Sequence, residues 1–120
     1  MRLALLACAL MLLAAPAQAV ECAAGGCTYQ SLACSWIGSW LSCSYKGIVG
    51  VVNITNIPTT TTMIHLHNNQ ITGVAPGMFH GLNSLQGLRL ESNKITALAA
   101  GTFDGLNSLQ TLDLRFNKIT

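Results

Sequence analysis

The chain has 120 residues, of which 51% are hydrophobic and only 8% are charged, a composition that excludes a disordered acidic or basic protein. Six basic and four acidic residues give a formal net charge of +2 without any basic cluster, so we expect no nucleic-acid partner. A chain of this length accommodates one small domain.

The N-terminal segment has the three parts of a signal peptide. Arg2 supplies the positive charge, an unbroken apolar run extends from Leu3 to Ala15, and Ala17-Gln18-Ala19 has the small-x-small pattern of a signal-peptidase site. The apolar run is shorter than the ~20 residues of a membrane-spanning helix. We therefore predict a signal peptide over residues 1–19, no membrane span in the chain, and a protein that is secreted or lies on the extracellular side of the cell surface.

Four cysteines follow in one short segment, at Cys22, Cys27, Cys34 and Cys43. An even, clustered count in a secreted chain predicts two disulfides, each of which stabilises the fold by ~2–4 kcal/mol. Structural zinc is the less favoured alternative, because the sequence has no C-x2-C pair. Four cysteines allow three pairings, and their spacing does not choose among them.

The sequence repeats itself from Thr61 onward. Residues 61–84 match residues 85–108 at 11 of 24 positions, and the partial copy 109–120 matches the second copy at 8 of 12. The shared pattern is L-x-x-L-x-L-x-x-N-x-I, and in the complete copies the second half ends in F-x-x-L. In the second copy these positions are Leu85, Leu88, Leu90, Asn93, Ile95, Leu98, Phe103 and Leu106. Such periodicity predicts stacked repeats, since one repeat cannot bury its apolar side chains alone.

This pattern resembles the leucine-rich repeat family, specifically the 24-residue type of secreted and cell-surface proteins. The stretch from Ile57 to Thr61, with the N-Q-I-T and G-M-F that follow, is similar to the variable lymphocyte receptors of jawless vertebrates. It also resembles the extracellular parts of Toll-like and adhesion receptors. The resemblance implies an α/β-type solenoid, a right-handed superhelix with a parallel concave β-sheet and an irregular convex side. Residues 20–58 would form a cysteine-rich N-terminal cap, and residues 59–120 would form the repeats.

The resemblance also assigns roles to framework residues. Asn69, Asn93 and Asn117 would turn inward and bond backbone groups, as buried amides require. Phe79 and Phe103 would stack on the convex side. The chain stops within the third copy, so we expect it to be truncated at the C-terminus and to be part of a longer protein.

The cysteine segment departs from the family's cap. Cys27 and Cys34 do not form the usual C-x-C pair, and Gly50 to Ile54 has the appearance of an insertion. The family pairs its first cysteine with the third and its second with the fourth, and these departures leave that pairing open here. Trp36 and Trp40 are expected to pack over the first repeat, because large aromatic side chains are usually mostly buried.

The outward-facing strand residues are the candidate ligand-binding face. The regular period aligns them in columns, which places Arg89 beside Asp113 and Glu91 beside Arg115. Either these charges simply neutralise each other across the sheet, or the face binds a ligand. Solenoids use their concave sheet to bind macromolecules, so we favour non-catalytic recognition of an extracellular protein or glycan. The candidate contact residues are Met63, His65, His67, Gly87, Arg89, Glu91, Thr111, Asp113, Arg115 and Phe116.

Two further roles are alternatives: a structural or matrix assembly module, and an inhibitor of a secreted hydrolase. The sequence has no catalytic constellation, so we expect neither an enzyme nor a cofactor. His65 and His67 share a strand face, but His80 lies in the other half of the repeat, so no metal site is predicted. Asn53-Ile54-Thr55 is a candidate site for N-linked glycosylation.

Overall fold

The repeats form coils whose short strands lie side by side. The computed structural model describes residues 20–21, 27–28 and 32–120, so the predicted signal peptide and Cys22 lie outside the described residues. The strands are β1 (Val20–Glu21), β2 (Cys27–Thr28), β3 (Ser35–Ile37), β4 (Trp40–Ser42), β5 (Ile48–Val52), β6 (Ile54–Thr55), β7 (Met63–His65), β8 (Gln70–Val74), β9 (Gly87–Arg89) and β10 (Thr111–Asp113). None of the described segments forms a helix with the length and hydropathy of a membrane span.

The main sheet has five strands in the order β10-β9-β7-β4-β3. The repeat strands β7, β9 and β10 are parallel, and Ile64, Leu88 and Leu112 align across them at equivalent positions of the repeat. Ile64 and Leu88 are fully buried, as the alternation of apolar and polar residues requires. The predicted solenoid with a parallel concave sheet is therefore confirmed.

The N-terminal segment adds two strands to this sheet. β3 and β4 form an antiparallel hairpin around Gly38 and Ser39, and β4 continues the parallel pairing by aligning Leu41 with Ile64. Gly38 has a φ of +64°, which the two-residue turn of such a hairpin demands. Leu41 is fully buried, so it covers the apolar side of the first repeat strand.

The predicted asparagine ladder is present. The Asn69 Oδ1 accepts hydrogen bonds from the backbone N–H groups of Lys46 and Ile48, at 2.9 and 3.1 Å. One coil further, Asn93 Oδ1 accepts from the N–H of Ile71 at 3.1 Å, and Asn117 Oδ1 accepts from the N–H of Ile95 at 3.0 Å. Each amide thus holds the turn of its own coil to the preceding coil.

A second parallel sheet has three strands in the order β1-β5-β8. The residues from Gly50 to Ile54, which resemble an insertion in the sequence, instead continue β5 and enter β6. Gly50 has a φ of +80° and lies at a register shift against β8, so it provides the backbone freedom of a β-bulge. In the second repeat, residues 94–110 contain irregular backbone and turns but no strand, so the convex side is irregular there.

The phenylalanine stack is confirmed on the convex side. The rings of Phe79 and Phe103 are 6.2 Å apart between centroids and inclined by 19°. Phe79 is buried, whereas Phe103 is half-buried. Gly81 and Gly105 follow these rings with φ near +80°, which permits the tight return of each coil.

One disulfide joins Cys34 to Cys43, and Cys27 is also disulfide-bonded. The third of the four cysteines therefore pairs with the fourth, so the family's usual pairing is wrong for this chain. Trp36 is half-buried against the core, as expected. Trp40 differs from the prediction, since it is 45% exposed. Its partner in the hairpin register, Ile37, is 62% exposed, so both side chains lie on the outer face of the sheet.

Candidate ligand-binding face

The concave sheet presents its outward side chains in rows that cross the strands. We call the row that contains Ile37, Trp40, Met63, Gly87 and Thr111 the first row. The second row contains Ser35, Ser42, His65, Arg89 and Asp113. His67 and Glu91 lie beyond it at equivalent positions of consecutive repeats, and the N–H of Asn68 donates to the carbonyl of Glu91 at 3.1 Å. The predicted residues are thus brought together on one face.

The first row is mostly apolar, and its N-terminal part was missed in the sequence. Ile37 and Trp40 extend the row beyond the first repeat strand, and both are well exposed. The sequence does contain a pattern that predicts this hairpin. A glycine turn at Gly38-Ser39 separates two short runs of alternating residues, Trp36-Ile37 and Trp40-Leu41, which is typical of a two-residue hairpin. Met63 is half-buried and leans over Gly87, which is why Gly87 is buried although it faces outward.

Four aromatic rings form a continuous row along the N-terminal half of the face. The Trp40 and His65 centroids are 5.9 Å apart, the His65 and His67 centroids 5.5 Å, and the His67 and Tyr45 centroids 5.8 Å. We call these four residues the aromatic row. Tyr45 is 74% exposed and was not predicted from the sequence. Tyr and Trp at an exposed surface provide large contact area at low entropic cost.

Two ion pairs occupy the C-terminal half of the face. Arg89 Nη2 pairs with Glu91 Oε1, and Arg115 Nη2 pairs with Asp113 Oδ2 at 2.7 Å. The predicted alignment of Arg89 with Asp113 is confirmed. The ion pairs nevertheless form within each coil, because each guanidinium reaches the carboxylate two residues away in its own repeat.

The Asp113–Arg115 pair is bidentate. The Arg115 Nε also donates to Asp113 Oδ1 at 3.0 Å, and the Arg115 backbone N–H donates to the same oxygen at 3.1 Å. The side-chain hydrogen bonds from Arg115, followed by the backbone one, lower the pKa of Asp113 to about 2. The carboxylate therefore stays charged at any physiological pH.

Burial separates the predicted contact residues into two groups. Glu91 and His67 are only 5% and 9% exposed, contrary to the expectation that both face solvent. Neighbouring side chains cover them, since Arg89 pairs with Glu91 and the Tyr45 ring lies against His67. The remaining predicted residues, apart from the covered Gly87, are half-buried or exposed: Met63, His65, Arg89, Thr111, Asp113, Arg115 and Phe116.

Phe116 is the most exposed predicted residue, at 75%, and its backbone is left-handed with a φ of +57°. Tyr45, Asn68 and Ser92 occupy the equivalent positions of the preceding coils, with φ of +56° or +57°. Asparagine tolerates this conformation, whereas a bulky aromatic residue rarely adopts it. The Phe116 side chain therefore adds backbone strain without the compensation of burial.

Burial lowers the pKa of both His65 and His67 below the ordinary histidine value, and the positive charge of Arg89 lowers both further.

No group of three or more metal-ligating side chains with suitable geometry occurs among the described residues. A separate groove of about 340 Å³ lies outside this face, between residues 53–57 and 76–82, with Asn53 and His80 in its lining. The Asn53 side chain is half-buried at this groove.

Comparison with known proteins agrees with the repeat architecture. The sequence profile of the leucine-rich repeat family matches residues 59–119, just over half of the chain. A comparison with curated proteins finds no match. The profile match covers the residues that form the stacked parallel repeat strands β7, β9 and β10. On both grounds, the chain belongs to the leucine-rich repeat family.

Proposed function

We propose that this protein is a non-catalytic recognition module that binds an extracellular protein or glycan through its concave face. Leucine-rich repeats commonly serve as protein-binding modules, which supports the general role. The observation that carries the proposal is the aromatic row of Trp40, His65, His67 and Tyr45, whose two end rings, Trp40 and Tyr45, are 45% and 74% exposed. Exposed aromatic rings on a fixed backbone are the usual anchors of binding surfaces.

Phe116 supports the same face. Its left-handed backbone costs stability, and its 75% exposed ring gains little from packing. Strain of this kind concentrates at functional sites, where a side chain is retained for its contacts. The Arg115 guanidinium lies 6.0 Å from the centre of this ring, so a ligand could contact a positive charge and an aromatic ring at the same place.

An extracellular location is part of the proposal. The Cys34–Cys43 disulfide supports it, because disulfides persist in oxidising compartments. We further propose that the signal peptide is removed after Ala19, that the segment before the repeats acts as their cap, and that Asn53 carries an N-linked glycan. Expression of the tagged chain in a secretory host tests these points. We expect mature protein in the medium with Val20 as its first residue, and a mass decrease after enzymatic deglycosylation that the Thr55→Ala variant does not show.

The binding role is tested by screening the secreted protein against an array of purified cell-surface proteins and an array of glycans. A ligand of the concave face should lose at least roughly tenfold in affinity with Trp40→Ala, as expected for an aromatic anchor. Lys94→Ala is the matched control, because Lys94 is exposed but lies outside the rows. Equal binding by wild type, Trp40→Ala, Tyr45→Ala and Phe116→Ala would refute the proposed face, provided that the melting temperatures agree.

A second candidate role is assembly through the last strand. β10 lies at one edge of the described sheet, and nearby apolar side chains are exposed: Leu112 at 38%, Ile119 at 44% and Phe116 at 75%. Light scattering over a dilution series separates the two roles. A dilution-stable oligomer that Leu112→Asp dissociates would favour assembly, whereas a monomer that binds an array ligand favours recognition.

A further inference from the structure

Two histidines lie at the centre of the aromatic row. His65 ends β7 and His67 follows two residues later, and their rings approach to 5.5 Å between centroids. The indole of Trp40 flanks one end and the phenol of Tyr45 flanks the other. A ligand that covers the row must therefore contact or desolvate this pair.

The charged groups around the pair come from the neighbouring strands. Arg89 and Glu91 act on both histidines from the β9 side, and Asp113 of β10 acts on His67. Both carboxylates already have arginine partners, because Glu91 pairs with Arg89 and Asp113 pairs with Arg115. The face is consequently close to neutral while the imidazoles are neutral. Protons added to the pair bring positive charge that these carboxylates do not fully balance.

No hydrogen bond at Nδ1 stabilises either protonation state of the His67 ring. This buried nitrogen has no hydrogen-bond partner in the structure, and neither has the buried Oε2 of Glu91. Imidazoles usually keep one tautomer because a carbonyl or carboxylate holds the second nitrogen. A proton added at Nδ1 would therefore be a buried donor without a partner, which favours the neutral ring in the folded protein.

We propose that His65 and His67 form a pH gate on the ligand-binding face, neutral at pH 7 and cationic in mildly acidic solution, so that binding of a neutral ligand weakens in acid. The regulation rests on the proposed function, since it concerns the same face. Burial and Arg89 both lower the histidine pKa values, which keeps the rings neutral at pH 7. An imidazolium resists the loss of hydration that contact with a ligand requires, so protonation opposes binding.

The charge on the row can be measured without any ligand. The chain has two tryptophans, so a Trp36→Phe background leaves Trp40 as the fluorescent reporter beside His65. Iodide, an anion, should quench Trp40 roughly twofold more strongly at pH 5 than at pH 7.5, because local positive charge concentrates counter-ions. Acrylamide, which is neutral, should quench equally at both pH values and reports any change in exposure.

Two variants make this measurement specific. The double change His65→Gln with His67→Gln should abolish the pH dependence of iodide quenching, whereas His80→Gln should retain it because His80 is exposed outside the face. Iodide quenching that is independent of pH in the Trp36→Phe protein, or that responds equally in the double variant, would overturn the gate.

If the protein does not tolerate substitution of the buried His67, an NMR titration of the wild-type protein tests the proposal instead. The ring protons of His65 and His67 should both titrate below the ordinary histidine pKa of ~6.5, because burial and the charge of Arg89 disfavour the protonated rings. Titration of the His65 and His67 rings at or above ~6.5 would contradict the gate. A concave-face ligand from the arrays should also bind more weakly at pH 5.5 than at pH 7.4. Failure to find a ligand would refute the recognition role but leave these titrations unchanged, so the two failures are distinguishable.

Discussion

The side-chain amides of Asn69 and Asn93 donate to the same acceptor, the backbone carbonyl of Leu66, at 2.9 and 3.0 Å. The next coil repeats the arrangement, since Asn93 and Asn117 share the carbonyl of Leu90, at 3.0 and 2.9 Å. Each of these carbonyls therefore has one amide from its own coil and one from the coil that follows. The ladder is a chain of shared acceptors, in which one amide partly substitutes for the loss of another.

Asn93→Ala is expected to lower the free energy of unfolding by ~1–3 kcal/mol. The Ile71 N–H loses its acceptor, but the carbonyls of Leu66 and Leu90 retain Asn69 and Asn117. Urea unfolding followed by circular dichroism measures the change. Asn107→Ala is the control, because Asn107 is exposed and should leave the midpoint almost unchanged.

The double variant Asn69→Ala with Asn93→Ala tests whether the shared carbonyl couples the two asparagines energetically. It removes both donors from the Leu66 carbonyl, so we expect a loss larger than the sum of the single losses by at least about 0.5 kcal/mol. Additive losses would show that sharing the carbonyl has no energetic consequence.

Phe79→Ala is expected to destabilise the protein by ~3–5 kcal/mol, since it leaves a cavity in the core. Phe103→Ala removes the other ring of the stack but should cost less, because Phe103 is only half-buried. Denaturant midpoints of the two variants check the order. A larger loss for Phe103 would mean that stacking, rather than burial, determines the contribution of these rings.

Gly87→Ala should move the side chain of Met63 with a cost of about 1 kcal/mol or less. A methyl group at Gly87 would overlap the Met63 thioether, but the thioether is the flexible end of its side chain and can turn away. The methyl resonance of Met63 in a ¹³C-methionine-labelled sample should shift. Gly73→Ala is the control, because its added carbon would meet Val51 at an ordinary 3.7 Å, and there the Met63 resonance should not change.

Phe116→Asn is expected to stabilise the protein by about 1 kcal/mol and to weaken ligand binding. Asparagine relieves the left-handed backbone strain and already occupies the equivalent position at residue 68. Phe116→Leu separates the two effects, since it removes the ring without favouring the left-handed conformation. Thermal unfolding together with binding to an array ligand gives the comparison. A destabilised Phe116→Asn variant would show that the ring contributes more packing than its exposure suggests.

Stability should fall as the pH decreases below about 6.5, the ordinary histidine pKa. His65 and His67 have lowered pKa values in the folded state, so the unfolded chain binds more protons between those lowered values and 6.5. The free energy of unfolding therefore falls as the pH decreases from about 6.5 to the lowered pKa values, and above about 6.5 these two groups do not change it. Urea midpoints at pH 7.5 and 5.5 measure the loss, and the His65→Gln, His67→Gln double variant should show a smaller one. A midpoint that rises in acid would contradict this sign.

The framework of the repeats could be predicted from the sequence because each framework residue recurs. Leucines, asparagines and phenylalanines at a constant spacing identify the strands, the ladder and the ring stack without knowledge of distant contacts. Repeated solenoid coils meet mainly their neighbours, so a local pattern determines most of the packing.

The non-repeating part could not be predicted in the same way. Residues from Gly50 to Ile54 occur once, and their strand forms because β8 offers a parallel edge that lies elsewhere in the sequence. The exposure of Glu91 and His67 likewise depends on how Arg89 and Tyr45 fold over them, which strand alternation does not encode. The partner of Cys34 also had to come from the structure, since spacing is compatible with three pairings.

The β3–β4 hairpin determines where a shortened fragment of this protein can begin. A fragment that starts at residue 59, where the family profile begins, would lose two of the five concave strands and half of the aromatic row. It would also uncover Ile64, against which Leu41 now packs, and give the sheet a new hydrophobic edge prone to aggregation. Library selections or repeat grafts that use this scaffold should therefore retain the residues from Leu32 onward, although the profile does not include them.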